Sequence, residues 1–270
     1  MRSDSFSGVE RYICDVTGEL RRRGWEVVVV GGDPAVMTRE LPVGTPHLPA
    51  RTATEVAWAL VRMGRRAVVH AHMTAAEAPA VVTRPLVGSR IVCTRHFADK
   101  RGSSLAARAL APVIRAGLAR QLAISEFVAQ EIGEPSVVVY NGVPPVEPTD
   151  VSGRGQTVLV MQRHESEKET SLAIRAWALA RARGEGWRLL VAGRGSQTGE
   201  LKALAQQLGL DDDVDFLGFV DDPKALMRTS GLFLATAPRE PFGLSVVASV
   251  PSLLGTCQFR LGRKTRTYFR

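Results

Sequence analysis

The sequence predicts an α/β protein built from two doubly wound, Rossmann-like domains. Three observations carry that expectation. Short β-branched runs recur along the chain, segments of helical periodicity separate them, and a proline- and glycine-rich stretch divides them into two sets. Strands separated by helices pair in parallel through right-handed crossovers, and ligands of such sheets sit beyond the carboxyl ends of the strands.

In the first set, Val9, Tyr12, Ile13, Val16 and Leu20 fall at helical spacing, and the stretch from Arg21 to Gly24 closes that helix. Trp25 to Val30 is then a β-branched run ending in Gly31-Gly32, the pattern of a buried parallel strand. Further strands are expected at Ala67–His70, Ser89–Cys93, Gln121–Ile124 and Ser136–Val139. The stretch between Gly142 and Gln156, containing VPPVEPTDVSGRG, reads as an interdomain linker. The second set places strands at Thr157–Val160, Trp187–Ala192, Val214–Leu217 and Gly231–Ala235, with helices centred on 170–183, 198–208 and 223–229. The expected domains are therefore 1–145 and 146–250, facing one another across a cleft, followed by a basic tail, 251–270, without regular structure.

Both ends depart from this plan. Seven residues precede Gly8, too few for the strand that should feed the first helix. The second sheet stops after four recognisable strands, short of the usual five or six. The chain reads as cut at both ends, with the second domain incomplete.

Composition narrows the function classes. With 270 residues, 45% hydrophobic and 23% charged, the chain has the make-up of a soluble globular protein. No apolar run approaches the roughly 20 residues of a membrane-spanning helix, and MRSDSFSGVE lacks the apolar core of a secretory signal. Cys14, Cys93 and Cys257 lie far apart, giving neither a disulfide framework nor metal-type pairs. A reducing cytoplasm is the expected location. The net charge is +8, but residues 251–270 supply five basic groups and no acid, so the rest of the chain carries +3. Basic residues are not interleaved with aromatics along a face, which argues against nucleic acid as a partner. Attraction to an anionic substrate or membrane surface stays open.

Several loops could carry chemistry. Ser7-Gly8-Val9-Glu10 opens the first helix, where backbone N–H groups can meet a phosphate; a plain helix cap explains it equally. Gly193-Arg-Gly-Ser-Gln-Thr-Gly199 follows a strand and precedes a helix, as a dinucleotide fingerprint would. Its third glycine is one position late, and tight-turn geometry explains the loop without a ligand. His70, His72 and His96 end strands, but no nearby Cys, Asp or Glu completes a zinc set. Arg163 and Lys168 flank His164-Glu-Ser-Glu167 in a strand-to-helix loop, where a guanidinium fork and an ammonium could neutralise a diphosphate. Glu165, Glu167 and Glu169 surround them, so a solvated charged loop is the alternative. Leu105, Leu110, Val113, Ile114 and Leu118 give one segment an apolar side, with Arg101, Arg108, Arg115 and Arg120 nearby. Packing on its own sheet is the ordinary reading; contact with an anionic membrane is the other.

Taken in order, SGVERY, VVHAHMTAAE, TRHF, ISEF, VVVYNGV, QRHESEK, LLVAGRG, FLGFVDD and APREPFGLSVV resemble the glycosyltransferases of family four, from about Gly8 to Val247. The pair QRHESEK and EPFGLSVV looks like the high-GC bacterial branch. The resemblance implies a GT-B fold and transfer of a sugar, with retention of configuration, from a nucleoside-diphosphate donor. The acceptor it implies is unspecified, a small molecule or a lipid-linked one at the inner face of a membrane. It implies no metal cofactor. It assigns Gly8 to the donor diphosphate, and Arg163 and Lys168 to the departing phosphates. Gly218, Phe219 and Val220 would receive the base, and His96 would contact the transferred sugar. Glu240 would hold the donor sugar, beside backbone N–H groups of Phe242 and Gly243. Three positions depart from the family's pattern: Gln162 and Glu169 stand where glycines are usual, and Ala248 stands where a second, ribose-holding glutamate is expected. Val246 to Pro251 resembles the family's next strand, as if a helix had been skipped. An inactive remnant that at most binds its ligand is the rival expectation.

Overall fold

The computed structural model describes residues 1–4, 6–64, 67–102, 105–142, 154–180, 186–243, 245 and 255–258; for Ala106, Ala107 and 255–258 it describes the backbone alone. The chain divides into two compact units, Met1–Asn141 and Gly142–Arg270.

The first unit runs α1 (Gly8–Arg22), β1 (Val29–Val30), α2 (Pro34–Glu40), β2 (His47–Leu48), α3 (Ala53–Met63), β3 (Val68–His72), α4 (Thr74–Val87), β4 (Arg90–Arg95), α5 (Leu105–Gly117), β5 (Arg120–Ala123), α6 (Glu126–Ile132) and β6 (Val137–Val138). Its main sheet has the order β3-β4-β5-β6, every pair parallel and every crossover one helix. β1 and β2 form a separate parallel pair. The strand expected over Trp25–Val30 shortens to its last two residues, because β2 is only two residues long and pairs with no more of it. Trp25 and Val28 accordingly stand exposed.

Local signals set the helix starts. The Glu10 carboxylate accepts from both the backbone N–H and the hydroxyl of Ser7, closing the first turn of α1. Thr52 and Glu55 cap α3 reciprocally in the same way. Ile13 and Cys14 of α1 bury against Met37 of α2, while Val56 and Leu60 of α3 pack with Ala80 of α4 and Ile91 of β4.

The second unit runs β7 (Gly155–Met161), a 3-10 turn (Ser166–Lys168), α7 (Thr170–Ala180), β8 (Arg188–Ala192), α8 (Thr198–Gln207), β9 (Val214–Gly218), α9 (Pro223–Thr229), β10 (Ser230–Ala235) and β11 (Gly255–Gln258). The sheet order is β11-β10-β7-β8-β9, all parallel. From β7 the chain winds outward through β8 and β9, then returns to start the other half at β10. Successive residues of a strand face opposite sides, and both sides are covered. Val160 packs with Ile174 and Trp177 of α7 and Leu201 of α8, whereas Leu159 packs with Phe233 and with Met227 of α9. This is the doubly wound layout expected of the second domain.

One expectation needs correcting. The tail 251–270, read as lacking regular structure, contributes β11, which pairs with Leu232–Ala235 of β10. Its short run Gly255-Thr-Cys-Gln258 has no apolar alternation from which a strand could be read in the sequence. The linker residues 143–153, the segment 246–254 that contains Ala248, and 259–270 lie outside the described residues.

Candidate functional site

The second sheet reverses its winding between β7 and β10, and the loops leaving those two strands part in opposite directions. A crevice at such a switch point is where open α/β sheets bind ligands. Two residues singled out from the sequence meet here: Lys168 Nζ donates to Glu240 Oε2 at 2.6 Å, with side chains 16% and 24% exposed. Arg163, on the same loop, points elsewhere. Its guanidinium pairs with Glu167 at 2.6 Å, and both side chains are 54% exposed. An exposed pair of this kind contributes well under about 1 kcal/mol, so Arg163 can exchange its partner for an anion cheaply.

The loop is built by Gln162, noted in the sequence only as a departure from the family pattern, together with Thr170 and Thr236. Gln162 follows β7, and its Nε2 lies 3.0 Å from Lys168 O, 2.9 Å from Thr170 Oγ1 and 2.9 Å from Thr236 Oγ1, three acceptors that share its two N–H donors. Thr236, at the end of β10, also donates its hydroxyl to Lys168 O at 2.8 Å. Glu169 closes the 3-10 turn at φ +49° and ψ +40°, a left-handed conformation. The missing family glycines at 162 and 169 thus have different meanings: one is replaced by a hydrogen-bonding side chain, the other by a residue with a Cβ in glycine's usual backbone region.

Beside this loop lies a pocket of about 490 Å³, lined by His164, Gly193, Gly195, Thr198, Lys202, Phe216 and Gly218 among others. Its glycines have a packing reason. A Cβ on Gly193 would come within 1.9 Å of Gln162 O, and one on Gly195 within 2.3 Å of His164 O. The loops after β7 and β8 touch backbone to backbone, and His164 N donates to Arg194 O. Close approach therefore accounts for Gly193 and Gly195 without a dinucleotide, whereas a Cβ on Gly199 would meet open space. His164 is buried, its Nδ1 is 3.0 Å from Thr198 Oγ1, and burial lowers its pKa. Thr198 donates its hydroxyl to Gly195 O at 2.8 Å, so His164 Nδ1 is the donor of their shared bond. Of the three residues expected to receive a base, Gly218 (φ +67°) lines the pocket. Phe219 is exposed, and Val220 packs toward the Leu159–Phe233 side of the sheet. Gly243 is buried at φ +78°, next to a partly buried Phe242.

The first unit holds the other two expected residues. Gly8 is the first residue of α1. His96 follows β4; its Nε2 lies 3.0 Å from Nδ1 of His72, and Tyr12 of α1 sits edge-on to both rings. His70 shares a 2.7 Å hydrogen bond with Thr94. Burial drives all three histidines toward the neutral form: His70 and His96 are lowered to about 4, and His72 is held well below its ordinary value by burial first and by its two histidine neighbours second. The group is a neutral hydrogen-bonded cluster that can offer nitrogen lone pairs or N–H groups to sugar hydroxyls. Among the described residues, no three His, Cys, Asp or Glu side chains are grouped to hold a metal.

The face of α5 differs from the ordinary expectation. No described side chain of α5 is fully buried, and Leu105 (84%), Leu110 and Val113 are exposed. Arg101, counted with its basic flank, is instead buried, with Nε 2.6 Å from Glu77 and Nη1 bonded to Glu134. No helix among the described residues is long and apolar enough to cross a membrane.

Comparison with known proteins agrees with this architecture. The model of Glycosyltransferase Family 4 matches residues 6–147, and that of glycosyl transferases group 1 matches 147–249. An exopolysaccharide phosphotransferase of Streptomyces coelicolor is 31% identical over 111 residues, covering 40% of this chain and 12% of its own. A GDP-mannose:cellobiosyl-diphosphopolyprenol alpha-mannosyltransferase of Komagataeibacter xylinus is 28% identical over 120 residues, covering 42% of this chain and 30% of its own. The chain thus spans less than a third of the length of either relative. HepE of Anabaena, solved with UDP and glucose, superposes with a TM-score of 0.73 at 17% identity, over 93% of this chain and 77% of that one. The fold is the α/β fold of GT-B glycosyltransferases, and with more than half its length matched by the family model the chain belongs to Glycosyltransferase Family 4.

Proposed function

We propose that the protein transfers a sugar from a nucleoside-diphosphate donor to an acceptor, with retention of configuration and without a metal. The observation that carries this reading is the Lys168–Glu240 pair at the switch point of the second sheet. As the glycosyl bond breaks, negative charge grows on the diphosphate and positive charge on the sugar. Lys168 and Arg163 are cations held at one loop to take the first, and Glu240 is a carboxylate placed to hold the hydroxyls of the second. In this reading the ligand replaces both carboxylate partners: the diphosphate takes Lys168 and Arg163, and Glu240 turns to the sugar. Gly218 and the pocket beside it would take the base, while Gly8 and His96 keep the roles the family assigns them.

The named relatives suggest UDP or GDP as the nucleotide, and the mannosyltransferase suggests a diphosphopolyprenol acceptor. The apolar, acid-free face of α5 suits that acceptor, since a lipid-linked substrate is met at a membrane surface, here the cytoplasmic one. Thermal unfolding with UDP and with GDP tests the donor reading. A ligand that binds the native state must raise the midpoint, by about 2.7 kcal/mol of stability at a hundred times its Kd. One of the two should do so, and the shift should vanish in Lys168→Ala. No shift with either at millimolar concentration overturns the reading.

A second reading, ligand binding without turnover, is favoured by Ala248 in place of the expected ribose-holding glutamate. Release of sugar from UDP-glucose or GDP-mannose by this chain overturns it.

A further inference from the structure

Lys168 reaches Glu240 from a different segment of chain, and something must hold the two segments in register. The only covalent connection between them runs through α7, β8, α8, β9, α9 and β10. The cross-link is a compact polar node. Lys168 O, Thr170 Oγ1 and Thr236 Oγ1 all lie within 3.0 Å of Gln162 Nε2, and Thr236 Oγ1 closes the ring onto Lys168 O. Thr170 and Thr236 are buried. Lys168 O can only accept, so the amide nitrogen and not its oxygen faces the node. Glu240 stands four residues beyond Thr236.

From this geometry we infer that Gln162 is a positioning residue for the donor site: its amide locks the carbonyl of Lys168 to the end of β10 and so sets the ammonium of Lys168 opposite Glu240. A glycine at this position would supply none of these bonds. Its amide bonds reach a backbone carbonyl and two hydroxyls, so it acts through the backbone of Lys168 and the hydroxyl of Thr236. The inference rests on the donor-site reading above.

The test compares the full chain with Gln162→Glu, which keeps shape and length but presents oxygens where the amide donated. Affinity for UDP or GDP, whichever the wild type binds, is measured by calorimetry from pH 5 to pH 8 and expressed as a ratio to wild type, which cancels the titration of the ligand itself. At pH 8 the variant should bind about tenfold more weakly or worse, because an ionised carboxylate faces a carbonyl oxygen. Toward pH 5 the carboxyl gains a proton, donates again, and the ratio should return toward one. A space-filling role for Gln162 predicts no such recovery. A ratio near one throughout, or a deficit independent of pH, overturns the inference while leaving the donor site standing. Wild-type protein that binds neither nucleotide overturns the donor site first. If Gln162→Glu does not fold, Gln162→Met and Thr236→Val replace it in a double-mutant cycle. Losses of affinity that fail to add support one shared node; additive losses overturn it.

Discussion

At residue scale the donor loop shows how a departure from a family pattern can be read physically. Glu169 occupies φ +49°, ψ +40°, where a Cβ crowds the backbone and costs an ordinary residue about 1 kcal/mol or more. Replacing it with glycine removes that strain but adds unfolded-chain entropy of comparable size. The relief should win, because the turn is tied at Lys168 O and Thr236 and gives Glu169 no choice of conformation. Glu169→Gly is therefore expected to raise stability by up to about 1 kcal/mol, read from the urea midpoint at unchanged slope. A lower midpoint would mean that Glu169 makes contacts worth more than its strain. Lys168 and Glu240 were singled out in the sequence through the family motif, and the structure brings their side chains together. The contacts of Gln162 and His164 could not be read from the sequence, because they arise where the loop after β7 meets those after β8 and β10, at Arg194 and Thr236 far along the chain.

At the scale of elements, periodicity located the parallel strands of both main sheets other than β11 and the helices α1, α5, α7, α8 and α9, whereas α2, α3, α4 and α6 were not placed individually from the sequence. It failed where a strand carries too little pattern: β2 is two residues long, and β11, which pairs with β10, has no apolar alternation. α5 illustrates a different limit. Its apolar spacing identifies an amphipathic helix, but spacing cannot say whether the apolar side meets protein or solvent. In the structure Leu105, Leu110 and Val113 are solvent-facing, Arg108 and Arg115 are exposed with them, and the helix contains no acid. Anionic vesicles should therefore bind the protein, with binding that falls as salt rises. Leu110→Glu combined with Arg115→Glu should abolish it and leave nucleotide-induced stabilisation intact. Equal sedimentation of that variant with vesicles would remove α5 from the membrane reading.

At the scale of the molecule, the two units carry different titration loads, and this decides how the chain responds to acid. Three histidines held toward the neutral form, the buried His72 and His96 and the half-buried His70, belong to the first unit; the second has one lowered histidine, His164. Burial puts the folded pKa of His70 and His96 at about 4, against 6.5 unfolded. Between those values the unfolded chain binds protons that the folded unit refuses. Their contribution is thus complete above pH 6.5 and is lost as pH falls toward 4. One pH unit below 6.5 costs at most about 1.4 kcal/mol per histidine held neutral, and less where the rings shift one another, so acid lowers the stability of the first unit. His72 and His96 cannot escape cheaply, because the hydrogen bond between their rings requires one nitrogen to accept. Acidification from pH 7 to pH 5 should accordingly open the first unit before the second. Hydrogen exchange read separately over 1–141 and 142–258 measures this directly: protection should fall first in β3 and β4, and His70→Gln should narrow the gap between the units. Parallel loss of protection in both would mean that the cluster gains protons without unfolding, and that its burial is shallower than the neutral network requires.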